Sequence, residues 1–200
     1  MTGVSEIVAD RSVRIAWAAD ADAIGSVQAR AWLRSYATIL PQAVLDQIDG
    51  AGFASAWREA VTKPPSARHR VLVALDHGRV VGFAATAPSD DPDGEPFDGE
   101  IVALHIDPAE HRGGHGSRLV AAAVDTMRAD GFTHARMWII SGDDDVRSFI
   151  ESAGWGPDGA HRVLDLTGDG SASVKQVRLH TDLREDTSDS DPDSTESAED

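Results

Sequence analysis

The stretch DPAEHRGGHGSRLV (107–120) combines three glycines, two histidines and two arginines between an apolar run and a helical pattern. A strand that turns through glycines into a helix presents unpaired backbone N–H groups at the positive end of the helix dipole. Glycine tolerates the left-handed angles of such a turn and lets a ligand approach the backbone. Arg112 and Arg118 add charge-assisted donors, and Ser117 adds a hydroxyl. The stretch therefore predicts a binding site for a phosphate-like anion.

Two common phosphate-binding loops do not fit this stretch. The P-loop has Lys and then Ser or Thr after its last glycine, whereas Gly116 is followed directly by Ser117. The dinucleotide loop of Rossmann folds has the spacing G-x-G-x-x-G, whereas the spacing here is G-G-x-G. Nucleotide or nucleic-acid binding is therefore only a weak alternative, and a glycine turn that merely caps a helix is another.

The hexapeptide HRGGHG (111–116) resembles the coenzyme A pyrophosphate loop of the GCN5-related N-acetyltransferase (GNAT) family: Gln or Arg, two residues, Gly, any residue, then Gly or Ala. His111 replaces the Gln or Arg and is still a hydrogen-bond donor. The runs EIVALHIDP and RSFIESAGW add to the resemblance, which covers most of residues 12–183. It implies an N-acetyltransferase that uses acetyl-CoA as co-substrate and no metal. The coenzyme ligands it implies in the loop are His111, Arg112, Gly113, Gly114, His115, Gly116 and Ser117.

The strand before the loop has a further role in this family. It splays away from its neighbour, and its backbone amides bind the pantetheine arm and polarise the thioester carbonyl. The resemblance assigns these amides to Leu104 and Ile106. Polarisation by N–H donors stabilises the oxyanion that forms as an amine attacks.

A candidate base opens the same strand. Glu100 has the spacing of the catalytic glutamate in the histone-acetylating branch of the family, which implies a general base. Strand alternation predicts Glu100 on the face of Val102 and Leu104, where partial burial would raise its pKa. Alternatively, Glu100 only ends an acidic stretch, in which case His105 and His111 are reserve bases.

Two positions depart from the family pattern near the later helix. FIESAGW has Ile150 where the family often has a tyrosine that protonates the leaving thiolate, and Tyr36 is the only tyrosine in the chain. Asp143 stands where an asparagine often lines the pantetheine arm. A thiol of pKa about 8.5 is a tolerable leaving group, so the missing acid predicts a slower reaction. The departures also keep open a second function, a domain that binds or senses acyl-CoA without efficient turnover.

The resemblance places the acceptor between the first helices and the last strands. It implies substrate contacts from Trp32 and Tyr36, which lie four apart and so share one helix face. The six acids in 90–100 would attract a cationic amine, although a solvated loop explains them more simply. The partners expected are thus acetyl-CoA and an amine-bearing small molecule or peptide. Pairing of the C-terminal strands into a homodimer is compatible with such folds.

Charge and composition exclude other classes of protein. A formal net charge of -16 disfavours general binding to nucleic acid and to anionic membranes. The chain has no cysteine, which excludes disulfides, thiolate metal sites and cysteine nucleophiles. Neither a secretory leader pattern nor a run of about eighteen apolar residues is present. We therefore expect a cytoplasmic protein.

The chain divides into a body and a tail. Residues 1–183 predict a single domain, and residues 184–200, with eight acids and one arginine, predict an acidic disordered tail. Apolar periodicity in the body switches between two and about 3.6 residues, which is typical of a mixed α/β fold. The element order resembles the GNAT fold: a mixed, mostly antiparallel sheet of about seven strands, about four flanking helices, and splayed strands 4 and 5.

Individual elements follow from the same patterns. Strands are expected at 12–17, 100–106, 134–140 and around 161–166 and 174–180. Residues 69–87 predict a hairpin about a His77-Gly78 turn. Helices are expected from Asp20 to about Tyr36, after the glycine loop to Gly131, over 144–154, and once or twice between 41 and 61.

Overall fold

The computed structural model describes residues 11–184. Of the predicted disordered tail only Arg184 lies within the described residues. The strands are β1 (Arg11–Ile15), β2 (Arg70–Asp76), β3 (Arg79–Pro88), β4 (Asp98–Ile106), β5 (His134–Ile140), β6 (Gly156–Asp165) and β7 (Ser173–Asp182). The helices are α1 (Ala21–Ser35), α2 (Gln42–Leu45), α3 (Gly50–Thr62), α4 (His115–Ala129) and α5 (Asp144–Ser152).

The seven strands form one sheet in the order β1-β2-β3-β4-β5-β7-β6. Every neighbouring pair is antiparallel except β4 and β5, which run parallel because α4 crosses between them. The predicted mostly antiparallel α/β sheet is confirmed, with five α-helices in the described residues where the sequence indicated about four. None of these helices is long and apolar enough to cross a membrane.

The parallel pair β4 and β5 is short, and the gap between the two strands beyond it is called the cleft below. Pairing joins only Asp98, Gly99 and Glu100 of β4 to His134, Ala135 and Arg136 of β5. Beyond Glu100 the two strands part, so within residues 11–184 the second half of β4 pairs with β3 alone. The predicted splay is therefore present, with Glu100 at its vertex.

A β-bulge in β4 overturns one expectation about Glu100. Ala103 faces Ala85 on β3 and Ile101 faces Thr86, which leaves Val102 as an extra, 53% exposed residue. An extra residue reverses the alternation of side chains beyond it. Glu100 therefore lies on the opposite face from Leu104, and the prediction that these two residues share a face was wrong.

The helices cover the two faces of the sheet unequally. On one face α4 packs through Leu119, Val120, Ala123 and Met127 into the largest core cluster, with Ile101 of β4. On the other face α1 and α3 cover β2 and β3, with Phe83 at the centre. The part of this second face on β5, β7 and β6 carries polar side chains instead, and Glu100 belongs to it.

Local sequence signals account for most element ends. His77 and Gly78 have φ of 49° and 79°, the two positive angles of the predicted hairpin turn. Asp49 caps α3 by accepting hydrogen bonds from the amides of Ala51 and Gly52. Several ends differ from prediction by one or two residues, as at Ile15 where β1 stops, and the largest difference is at β6, which begins at Gly156, well before 161.

Candidate active site

The N-terminus of α4 is an open turn with free amides. Gly114 precedes the helix with φ of 76°, and Arg112 has φ of 66°. The first N–H groups of a helix have no acceptor within it, and no side chain of residues 11–184 caps this end. Gly114, Ser117 and Arg118 are exposed around it. The turn therefore presents donors to solvent at the positive end of a 15-residue helix, as an anion site requires.

His115 supports this turn from inside. Its side chain is 2% exposed, and Nε2 lies 3.7 Å from Oδ2 of Asp76 on β2. A Cβ at Gly113 would lie 2.8 Å from the His115 ring, so glycine is needed there for close packing. Because the ring is buried, the group of His115 that is available to an anion is its backbone amide.

Three guanidinium groups surround the turn. Nη1 of Arg118 and Nη1 of Arg11 each lie 3.3 Å from the carbonyl oxygen of Gly113, to which they donate. Arg112 is exposed beside them. Arg11 comes from β1, 102 residues away in sequence, and no local pattern could have identified it.

The free edge of β4 carries the predicted backbone donors. The amide of Asp107 donates to the carbonyl of Val81 on β3 at 2.8 Å. Because successive residues of a strand point their amides to opposite sides, those of Ile106 and Leu104 point away from β3 and into the cleft. His111 is exposed, and its Nε2 lies 3.4 Å from the carbonyl oxygen of Ile106 at the same edge.

Glu100 stands at the vertex with one oxygen unsatisfied. The residue is 6% exposed, and Oε2 is buried without a hydrogen-bond partner among the described residues. Burial raises the pKa of Glu100 to about 7, and Asp91 and Asp90 add to the rise while Arg162 and Arg136 oppose it. A carboxyl group of that pKa is about half ionised at neutral pH and can accept a proton from a ligand.

His105 is a poorer base than Glu100. Burial lowers the pKa of its imidazole to about 4, and its ring lies 5.4 Å from that of Phe83, between centroids. An imidazole with that pKa is neutral at pH 7 but has little affinity for a proton. His105 is therefore better described as a packing residue than as a base.

The acidic loop 89–97 folds over β5 and β7. Asp91, whose side chain is 5% exposed, accepts hydrogen bonds from Nε1 of Trp138 at 3.1 Å and from Nη1 of Arg178 at 2.9 Å. Asp93 accepts from Arg178 at 2.6 Å, and this guanidinium holds the pKa of Asp93 well below its usual range. Much of the acidic stretch is therefore bound to the sheet by ion pairs and is not simply solvated.

Arg178 and Trp138 were missed from the sequence, although a signal existed. Alternation in β5 and β7 puts Arg136, Trp138, Arg178 and His180 on one face, since Arg136 pairs with His180 and Trp138 with Arg178. What the sequence did not reveal is that β7 lies between β5 and β6.

The positions on α5 have structural roles. Asp143 caps the helix, with Oδ1 accepting from the amide of Val146 at 3.0 Å. Ile150 is fully buried in the core cluster around α4. Phe149 lies against the turn at residues 112–118 that begins α4, called the α4 mouth below, where its ring would be 3.1 Å from a Cβ at Gly116. The missing tyrosine is thus replaced by a packing residue.

Trp32 and Tyr36 share a helix face, as predicted, with ring centroids 5.2 Å apart. Trp32 also contacts Phe53 of α3, and its Nε1 is buried without a hydrogen-bond partner in the described part of the chain. Tyr36 packs in a small cluster with Leu40 and with Ala172 from the β6–β7 connection. The first helices therefore meet the connection between the last two strands at this residue.

Two separate sets of acidic and histidine side chains each bring three possible metal ligands close together. The ligand atoms within each group are within 4.8 Å of one another, the groups being Asp76, Glu110 and His115, and Asp90, Asp91 and Glu100. Arginines already pair with part of each, since Arg11 lies 3.6 Å from Asp76 in the first and Arg178 lies 2.9 Å from Asp91 in the second. The expectation that no metal is used stays a prediction.

Comparison with known proteins identifies the family. The model of the acetyltransferase (GNAT) family matches residues 29–155. An uncharacterized N-acetyltransferase, YuaI, from Bacillus subtilis (strain 168) is 29% identical over 130 residues, which is 64% of this chain and 71% of that protein. Mycothiol acetyltransferase from Kineococcus radiotolerans is 33% identical over 84 residues, which is 42% of this chain but only 26% of that protein.

Solved structures share the fold at low sequence identity. The protein yncA from Salmonella typhimurium, solved with its cofactor acetyl-CoA, has a TM-score of 0.67 at 22% identity, covering 93% of this chain and 99% of that one. The N-acetyltransferase PaiA from Thermoplasma acidophilum, solved with coenzyme A, has a TM-score of 0.64 at 17% identity, covering 83% and 97%. Since the family model spans more than half of the sequence, this chain belongs to the GNAT family of acetyltransferases.

Proposed function

We propose that this chain transfers the acetyl group of acetyl-CoA to a primary amine, which attacks the thioester directly, with Glu100 as the general base. One observation carries the proposal: the pairing of β4 with β5 ends at Glu100, whose buried Oε2 has no partner among residues 11–184. The base therefore stands where a cleft opens, and the same strand leads from it to the α4 mouth.

The α4 mouth would bind the pyrophosphate of acetyl-CoA. The free amides after Gly114 and the guanidinium groups of Arg112 and Arg118 are donors for phosphate oxygens. His111, Gly113, His115, Gly116 and Ser117 complete the predicted loop, His115 through its backbone. The net charge of -16 makes this local concentration of positive charge necessary, because coenzyme A is itself polyanionic.

The cleft would hold the pantetheine arm and the thioester. Amides of Leu104 and Ile106 face the free edge of β4, where they can bind the arm and polarise the acetyl carbonyl. Asp143, which is half-buried at the start of α5, would line the pantetheine arm as the resemblance implies. Glu100 removes a proton from the amine, the amine nitrogen forms a bond to the acetyl carbon, and the carbon–sulfur bond breaks.

The leaving thiolate has no tyrosine on α5 to protonate it, because Ile150 occupies that position in the core. Solvent in the open cleft can supply the proton, since the pKa of a thiol is only about 8.5. The acceptor would lie on the face of Glu100, with Trp32 and Tyr36 lining the α1 side.

Buried Ile150 also favours a second candidate, a domain that binds acyl-CoA without efficient turnover. One experiment separates the two functions: release of free thiol from acetyl-CoA across a panel of amines, beside calorimetric titration with acetyl-CoA. Amine-dependent thiol release supports the transferase. Saturable acetyl-CoA binding with thiol release no faster than in the absence of every amine supports the binding domain.

A further inference from the structure

We infer that the amine acceptor carries a carboxylate, as a free amino acid does, and that Arg162 on β6 binds this carboxylate. The inference rests on the proposed function and specifies its acceptor. It depends on where Arg162 points, on which of its hydrogen-bond donors are free, and on the charges that lie between it and Glu100.

A row of polar side chains leads from Glu100 across the sheet to β6. Glu100 pairs in register with Arg136 on β5, Trp138 pairs with Arg178 on β7, and Gln176 of β7 pairs with Arg162. These positions lie on one face, because residues opposite one another in a ladder, and residues two apart in a strand, point the same way. The helices α1 and α3 pack mainly on β2, β3 and β4, whereas the loop 89–97 lies over Trp138 and Arg178 in the middle of the row.

The side chain of Arg162 is directed along this row toward Glu100. Its guanidinium carbon lies 4.2 Å from the centroid of the Trp138 ring, although Trp138 is on β5 and β7 separates it from β6. The side chain of Arg162 must therefore extend over β7 to reach the Trp138 ring. Its charge is near enough to oppose the raised pKa of Glu100.

The guanidinium of Arg162 is held in place but not saturated. Nε donates to Oε1 of Gln176 at 2.7 Å, and the ring of Trp138 supports one face. Nη1 comes no nearer than 3.9 Å to a carboxylate oxygen of Asp91, and Nη2 has no hydrogen-bond partner within residues 11–184. The side chain is 39% exposed. An oriented guanidinium whose two terminal nitrogens make no hydrogen bond among the described residues, with Asp91 as an ion-pair partner at 3.9 Å, can bind a carboxylate with two parallel hydrogen bonds.

The other two arginines of the row are already paired. Arg178 donates to Asp91, Asp93 and Asp158 at 2.6 to 2.9 Å. Arg136 lies 2.7 Å from Asp98 and 3.1 Å from Asp93. Within the row, Arg162 is therefore the cation that a ligand can use.

The charges of the site match those of a zwitterion. Glu100 and Asp90 form one end, where an ammonium group is attracted before it loses its proton, while Asp91, within 4.8 Å of both, lies between them and Arg162 and is already bonded to Arg178. Arg162 lies at the other end, where a carboxylate is attracted. A diamine would meet the guanidinium with like charge, and an amine without charge elsewhere would leave it unused.

The test compares free amino acids with the corresponding amino acid amides as acceptors, at saturating acetyl-CoA. The amides keep the amine and the side chain but lack the carboxylate. We expect kcat/KM to be about tenfold to hundredfold higher for the free acids, because hydrogen bonds between charged groups are the strong ones. In Arg162→Gln the KM for free acids should rise by about the same factor while kcat changes little, and the KM for amides should stay constant. Arg162→Lys, which keeps the charge but loses the fork, should restore only part of the preference.

Arg58→Gln is the matched control, since Arg58 is a 48% exposed, ion-paired arginine on α3. It should leave the preference for acids intact. Equal rates with acids and amides, or an Arg162→Gln variant that weakens both series equally, would overturn the inference while leaving the proposed function in place. Acetylation of neither series, with no other amine accepted, contradicts the proposed function and the inference together.

Discussion

The α4 mouth and the Glu100 vertex, where β4 and β5 part, lie at opposite ends of β4. The first consists of backbone groups and the second of side chains. The mouth consists of backbone amides, turned outward by a left-handed glycine at position 114 and backed by the buried His115 ring. The vertex consists of side chains from β4, β5, β6 and β7, joined by the loop 89–97. A backbone site depends on a few adjacent residues, whereas a side-chain site depends on the register of distant strands. A mutation in one of the two sites should therefore impair that site and leave the other intact.

The largest effect is expected from Glu100→Gln, which removes the base and keeps its size. We predict a fall in kcat/KM of about 10²- to 10⁴-fold, with acetyl-CoA affinity unchanged, because the base acts on the amine alone. The wild-type rate should rise with pH through about 7, as Glu100 ionises, and the variant should lack this rise. Steady-state thiol release between pH 5 and 9 measures both, with exposed Glu59→Gln as the control. A variant within threefold of wild type would remove Glu100 from the mechanism.

The next effect concerns stability. The pKa of Glu100 is about 7 in the folded chain against 4.5 for the ordinary group, so the folded state holds the proton more tightly between these values. Stability must then decrease as pH rises through that window. We expect the free energy of unfolding of wild type, relative to Glu100→Gln, to fall by about 1–3 kcal/mol from pH 4.5 to 8. Urea denaturation of both proteins across this range is the measurement, and parallel curves would contradict the raised pKa.

A pair of glycine variants tests the mouth. Gly114 and Gly131 flank α4 with φ of 76° and 82°, so alanine at either position is strained by about 1 kcal/mol. A Cβ at Gly114 would lie 3.0 Å from Nη1 of Arg118, whereas Gly131 faces open space. Gly114→Ala should weaken acetyl-CoA binding by about tenfold, the equivalent of one hydrogen bond, and Gly131→Ala should not. Equal affinities by calorimetry would argue against the amide site.

The smallest effect is expected from replacing both Arg112 and Arg118 with Ala. Both side chains are exposed, and exposed charges contribute little individually. Acetyl-CoA affinity should fall about threefold to tenfold at low salt, and the dependence of the affinity on salt should become flatter. An unchanged affinity together with an unchanged salt dependence would show that these arginines do not face the coenzyme.

The sequence alone was sufficient to predict the turn of the α4 mouth and most of the fold. Glycine spacing at positions 114 and 116 and the apolar period of α4 are local properties, and the structure has the strand, turn and helix that they predict. The hairpin at His77-Gly78 follows from local turn chemistry in the same way. The splay of β4 and β5 was implied by resemblance and not by any local pattern, because it depends on how two distant strands pair.

The vertex was only partly predictable. Glu100 was identified by its spacing. The sheet face predicted for it was wrong, because nothing in the run EIVALHI marks the bulge at Val102. Asp91, Arg178 and Arg162 were not identified, since their contacts span up to 87 residues of sequence. Side chains that meet across β7 cannot be brought together until the strand order is known.

Calorimetric titration of the full chain with acetyl-CoA, and separately with ATP and with NAD, tests the central claim most directly. The account predicts saturable binding of one acetyl-CoA per chain, with much weaker binding of ATP and NAD, which carry phosphates but no pantetheine arm for the cleft. Binding of all three with equal affinity, or no binding of acetyl-CoA, would contradict it.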